Sequence, residues 1–425
     1  MRNALIAVLF GCAPLLAAAG SSVLLRGGTV HPVSGPVIQN ASVLIRDGKI
    51  AEVGARVAAP KGVRIIDIKG LHIYPGLIDS STSIGLSEIG SVRETVDTTE
   101  IGDFNPQVRA MVAVNPASEH IAVTRANGTT TVISAPAGAL VAGQAALLHL
   151  DGWTWQEMAV KPAAGMVLNF PNIQTRSGRG GGMYGGAPAQ PFAEAKKEYE
   201  KRVQGLHEFF ENARRYQQAK AAGAPGFETD LRFEAMLPVL EGRLPVIVRA
   251  ARERAIRDAL KFAEEEKFRM ILAGAPEAYK VAADLKAKGI PVICGPTLEL
   301  PMETDDPYDR SLTIPAELYK AGVKIAFGSF DTAFARNLPY QAANAVAYGL
   351  PYDEALKALT LNAAEIWGVT DQIGSIDKGK SADLIVTDGD PLETRTQVKY
   401  SFIAGKQVDL TNKHTRLYEK HMARE

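Results

Sequence analysis

The sequence predicts an α/β fold, a (β/α)8 barrel, on three observations. Short β-branched runs alternate with charged, apolar-faced segments through the middle of the chain. The runs recur at intervals that suit parallel strands joined by crossover helices. Both chain ends carry further short strands separated by turns. A doubly wound sheet is the runner-up.

The elements follow in order. Residues 23–30, 41–50 and 63–67 read as strands, with Asp47-Gly48 marking a hairpin turn. Barrel strands are predicted at 129–134, 246–250, 270–274, 290–293 and 323–328, with helices at 251–267 and 277–288 between them. Residues 192–221, rich in Lys, Glu and Ala, read as a long exposed helix whose charges form a solvated face. The stretch 177–186 holds too many glycines for regular structure and reads as either a lid over the barrel mouth or a disordered excursion. Strands return at 373–386 and 398–406.

Bulk properties narrow the function. With 425 residues the chain is long enough for a large core, and 47 basic residues balance 47 acidic ones. That balance argues against nucleic acid or an anionic membrane surface as the main partner and leaves a small molecule. Arg2, the apolar run 4–16 and the small residues 17–19 read as a signal peptide, so the mature chain is expected in the periplasm or outside the cell, with no transmembrane span. A lipoprotein anchored at Cys12 ranks second. After cleavage only Cys294 remains, which excludes an internal disulfide; it reads as a small apolar residue near a strand end.

The most informative stretch is Pro75-Gly76-Leu77-Ile78-Asp79-Ser80-Ser81-Thr82-Ser83. With Asn127-Gly128-Thr129-Thr130, residues 336–340, Leu359-Thr360-Leu361-Asn362-Ala363-Ala364 and the run 373–386, it resembles the amidohydrolase superfamily, in particular exported imidazolonepropionase-like members. The resemblance implies a TIM-like barrel at 76–369 and a small composite β-sandwich made from both chain ends, 20–75 plus 370–411, followed by a tail at 412–425. It also implies hydrolysis of a non-peptide C–N bond in a cyclic amide or dipeptide-like substrate, with a divalent metal such as zinc held by histidines and an aspartate.

This chain departs from that pattern at the positions that matter. Two histidines alternating on one strand face one ion, but here the pair is Ser81 and Ser83. The strand-five histidine is Arg249, the strand-six histidine is Gly274, and the strand-eight aspartate is Phe330, with the carboxylate displaced to Asp331. The seven histidines (31, 72, 120, 149, 207, 414 and 421) fall at no predicted strand end. The expectation is therefore a degenerate site with no metal cofactor and weakened or lost hydrolysis. The alternatives are a non-catalytic ligand-binding protein or a supporting subunit of an active paralogue, and the partner expected is a second copy of the chain or that paralogue. Asp331 is the candidate catalytic group; Asp79, Arg249 and Arg336 are candidate substrate contacts. Arg249 has two readings: a structural ion pair in the space the metal vacated, or a replacement for the metal's charge that pairs with Asp79 or Asp331 or binds a carboxylate.

Overall fold

The computed structural model describes residues 22–173, 175, 191–223 and 226–424. The expected signal peptide, Cys12 and the glycine-rich stretch 177–186 lie outside them. Two eight-stranded sheets organise the rest. The first is built from both chain ends: β1 (Val23–Val30), β2 (Ile38–Arg46), β3 (Lys49–Gly54), β4 (Arg64–Asp67) and β5 (His72–Pro75) join β14 (Leu384–Thr387), β15 (Val398–Ile403) and β16 (Lys406–Val408). β5 pairs β14 antiparallel, so the two termini meet in the middle of the sheet. One face of the sheet is apolar: Leu25, Val43, Ile45, Ile73, Leu384 and Phe402 are buried together in its core.

The second sheet is the barrel, from β6 (Leu77–Thr82) through β7 (Thr129–Ser134), β8 (Val141–His149), β9 (Ala159–Asn169), β10 (Val246–Arg249), β11 (Met270–Ala273) and β12 (Val292–Cys294) to β13 (Ile325–Phe327). It corrects a purely parallel expectation. β8 runs antiparallel to both β7 and β9. The connection from β7 to β8 is only a few residues long, whereas a parallel crossover needs a dozen or more. The remaining ladders are parallel.

Period-two alternation sorts the strands into two layers. Ile247, Ile271, Ile293 and Ala326 point into the barrel, while Val246, Val248, Met270, Leu272, Val292 and Ile325 pack in the cluster that includes the outer helices. Arg249, two residues beyond Ile247, continues the inward face. Helix Leu361–Trp367 closes the floor, with Trp367 buried among those interior side chains and its Nε1 donating to Ser80 Oγ at 3.2 Å.

Helix Phe192–Ala221 corrects the exposed-helix expectation. Leu206, Phe209, Phe210 and Ala213 lie along one buried stripe, and only the opposite face is solvated. The tail forms a helix, Lys413–Met422, capped by Asn412 and tied to the barrel side by Arg416 to Glu119 at 3.0 Å. Among the described residues no helix is long and apolar enough to cross a membrane.

Candidate binding site at the barrel mouth

The retained motif works as a joint between the two sheets. β5 ends at Pro75 and β6 begins at Leu77, so Gly76 alone carries the chain from one sheet to the other. A Cβ at Gly76 would overlap the Thr130 side chain, which is why no larger residue fits. Its N–H donates to the Asp383 carbonyl at 2.8 Å. The Asp383 carboxylate in turn meets His149 Nε2 at 3.0 Å and accepts from the Ala404 N–H at 2.6 Å.

Asp79 closes the barrel where β6 and β13 share no ladder. Its Oδ1 accepts from the Ser81 N–H at 3.1 Å and the Ser329 N–H at 2.9 Å. Across the same seam the Phe330 N–H donates to the Ser81 carbonyl at 2.8 Å, and Thr82 Oγ1 to the Asp331 carbonyl at 2.6 Å. Asp79 is fully buried and its Oδ2 has no partner among the described residues. Burial pushes its carboxyl up to about 7, helped by the nearby Asp331 charge and opposed by the Ser329 and Ser81 donors.

Phe330 occupies the centre of the mouth. Its backbone is left-handed, with φ of 52°, a conformation rare for a bulky side chain. The ring rests on three glycines that follow β11, β12 and β13: a Cβ on Gly274, Gly295 or Gly328 would lie 3.4, 3.2 or 3.0 Å from it. On one side is a cavity of about 380 Å³ walled by Ser81, Thr82, Ser83, Ser87, Thr98 and Arg249. On the other is one of about 340 Å³, walled mainly by apolar groups such as Leu300, Met302 and Ile314.

Ser81, Ser83, Arg249, Gly274 and Phe330 all line the first cavity. Asp331 and Arg336 do not join them. Asp331 Oδ1 accepts from the Phe334 N–H at 2.7 Å, capping the turn that leaves β13, and its side chain lines neither cavity. Arg336 donates from Nη1 to the Ala333 carbonyl at 2.9 Å, and its own carbonyl accepts from Asn127 Nδ2. It too lies outside both cavities, because the chain after Phe330 turns away from the mouth.

The ion-pair reading of Arg249 finds no partner. Among the described residues no carboxylate pairs with the guanidinium, no acceptor takes its N–H groups, and its Nε is buried. Burial pulls its pKa down. Cys294, at the end of β12, is buried with its thiol pushed up to about 12, consistent with an inert apolar role.

Two hydroxyls, a guanidinium, a bare glycine and a phenyl ring do not fit a divalent-metal centre, which needs imidazole, thiolate or carboxylate donors. Among the described residues no three His, Cys, Asp or Glu side chains gather as a metal group. Five of the histidines are engaged elsewhere: His31 with His72 at 3.1 Å, His120 with the Glu88 carbonyl at 2.9 Å, His149 with Asp383, and His207 with Glu266 at 2.6 Å. At the mouth, Ser83 Oγ bonds Thr332 Oγ1 at 2.7 Å and not a general base, so it has no activating partner among the described residues.

The family model described as the amidohydrolase family matches residues 73–410. The chain belongs to the amidohydrolase family. An amidohydrolase structure from Thermotoga maritima superposes with a TM-score of 0.80 at 29% identity, covering 91% of this chain and 99% of that one. Amidohydrolase tasK of Hapsidospora irregularis is 23% identical over 82% of this chain and 38% of its own length. A dihydroorotase of Citrifermentans bemidjiense is 45% identical over 58 residues, 14% of each chain. The chain thus spans well under half the length of these curated relatives.

Proposed function

We propose that this amidohydrolase-family chain binds a small organic molecule at the barrel mouth and has lost metal-dependent C–N hydrolysis. The observation that carries the reading is Phe330, whose ring lies on Gly274, Gly295 and Gly328 where the strand ends converge. The replaced positions Ser81, Ser83 and Arg249 surround a cavity beside it instead of a metal-binding donor set. The divided, partly apolar mouth has the size and mixed lining typical of a small-ligand pocket. Export to the periplasm or beyond belongs to the same proposal, supported by the signal-like N-terminus.

The test is elemental analysis by plasma mass spectrometry on full-length protein purified without added metal or a histidine tag. It is paired with hydrolysis assays on dihydroorotate and a dipeptide panel before and after chelation. Metal well below one equivalent and no chelator-sensitive hydrolysis are expected. About one equivalent of metal, with hydrolysis abolished by chelation, overturns the reading.

A further inference from the structure

Arg249 and the two cavities together define what kind of molecule the mouth takes. A guanidinium stays protonated in proteins and presents five donors. Here those donors face a pocket of hydroxyls with no protein anion to pair with among the described residues. Its Nε is buried without a partner while the residue as a whole is half-buried, and an anion paired with the guanidinium would offset the cost of that partial burial. The second cavity, which meets the first at Gly274 and Phe330, offers Pro296, Leu300, Met302 and Ile314 to an apolar group, with Glu277, Glu299, Asp306 and Arg310 also in its wall.

We propose that Arg249 is the carboxylate receptor of a small organic acid whose apolar tail passes Phe330 into the second cavity. This rests on the small-molecule reading of the mouth given above. A planar carboxylate matches the guanidinium fork through two parallel hydrogen bonds, and the Ser81, Ser83, Ser87 and Thr98 hydroxyls can donate to its remaining lone pairs. One guanidinium balances one negative charge. A phosphate dianion would bring a second charge, and among the described residues no second cation lines that cavity, so the carboxylate is the better match.

Isothermal titration of the full-length chain tests this with N-acetyl-leucine, its uncharged counterpart N-acetyl-leucinamide and inorganic phosphate as probes. The acid is expected to bind about ten- to a hundredfold tighter than the amide, the range that charge-assisted hydrogen bonds supply. Arg249→Met should reduce acid binding to the level of the amide. Arg249→Lys, which keeps the charge without the fork, should fall between and serves if the methionine variant does not fold. Phosphate should not displace the acid.

Equal binding of acid and amide, no binding of either, acid binding that survives Arg249→Met, or displacement by phosphate each overturns the proposal. A structural role for Arg249 predicts a lower urea midpoint in Arg249→Met without ligand. Relief of an unpaired charge predicts an unchanged or higher one, so a lower midpoint with acid binding intact also counts against the proposal. Metal content measured on the same sample separates the two readings. Metal at one equivalent with acid selectivity retained defeats the proposed loss of metal chemistry alone; no metal with equal acid and amide binding defeats the carboxylate site alone.

Discussion

At the floor of the barrel, Trp367 fills the interior against Ile78, Ile247 and Ile271 and bonds Ser80, while Gly76 and Asp383 lock β6 to the composite sheet. At the mouth, a few residues further along the same strands, Phe330 holds a strained backbone, Arg249 lacks a partner and Asp79 has an unpaired oxygen among the described residues. Ser80 and the Gly76 N–H at the floor are paired, whereas Arg249 Nε and Asp79 Oδ2 at the mouth have no partner among the described residues. Residues that make the barrel and residues at the family's metal-ligand positions sit on neighbouring stretches of sequence, yet the first set keeps the family pattern and the second departs from it. The family resemblance therefore reports packing, and chemistry has to be read from the mouth itself.

Four substitutions test this contrast, from the largest expected effect to the smallest. Trp367→Ala should cost about 3–5 kcal/mol in urea unfolding, since the vacated volume lies where rigid strands surround it. Gly76→Ala should cost about 1–3 kcal/mol, because its methyl would collide with Thr130. A neutral result there would show that the joint between the sheets yields, and that the floor is softer than its packing implies.

Asp79→Asn should show its effect in pH dependence. The folded carboxyl titrates at about 7, above the ordinary value of 3.8, so the fold holds this proton more tightly than the unfolded chain does. The stability that this contributes is complete below about pH 4 and is lost as pH rises towards 7. The asparagine variant cannot ionise, so its stability relative to wild type should improve steadily as pH rises from about 4 to about 8. A flat difference across that range would mean that Asp79 is ionised in the fold. Phe330→Gly should change stability least, within about 1 kcal/mol, because relief of the left-handed backbone offsets the lost ring contacts. A loss as large as that of Trp367→Ala would show that the mouth is packed like the floor, and the contrast would fail.

Much of the barrel was legible in the sequence for a physical reason. Residues 129–134, 246–249, 270–273, 292–294 and 325–327 are dense in β-branched and other apolar side chains that suit strands buried on both faces. β8 and β9 escaped because Val141–His149 and Ala159–Asn169 each carry three alanines and a glycine, a composition without a strong strand signal. The missing clue was the short connection after β7, which only a hairpin can make. At the mouth, the replaced positions could be read off from motif offsets. The direction of Asp331 could not: it follows from the left-handed turn at Phe330, which a phenylalanine gives no reason to expect. The buried stripe of helix Phe192–Ala221 was obscured by the many charges on its other face.

The composite sheet also sets a schedule for synthesis. β5 accepts β14 as its neighbour from a point roughly 300 residues later in the chain, among the most distant pairings in the molecule. Until the C-terminal segment has emerged, β5 offers an open strand edge directly upstream of Gly76 and the first barrel strand. Completion of this sheet must wait for the last part of the polypeptide, however early the barrel collapses. A chain that ends before Leu384 retains the first five strands with that edge exposed, a surface prone to pairing with another copy.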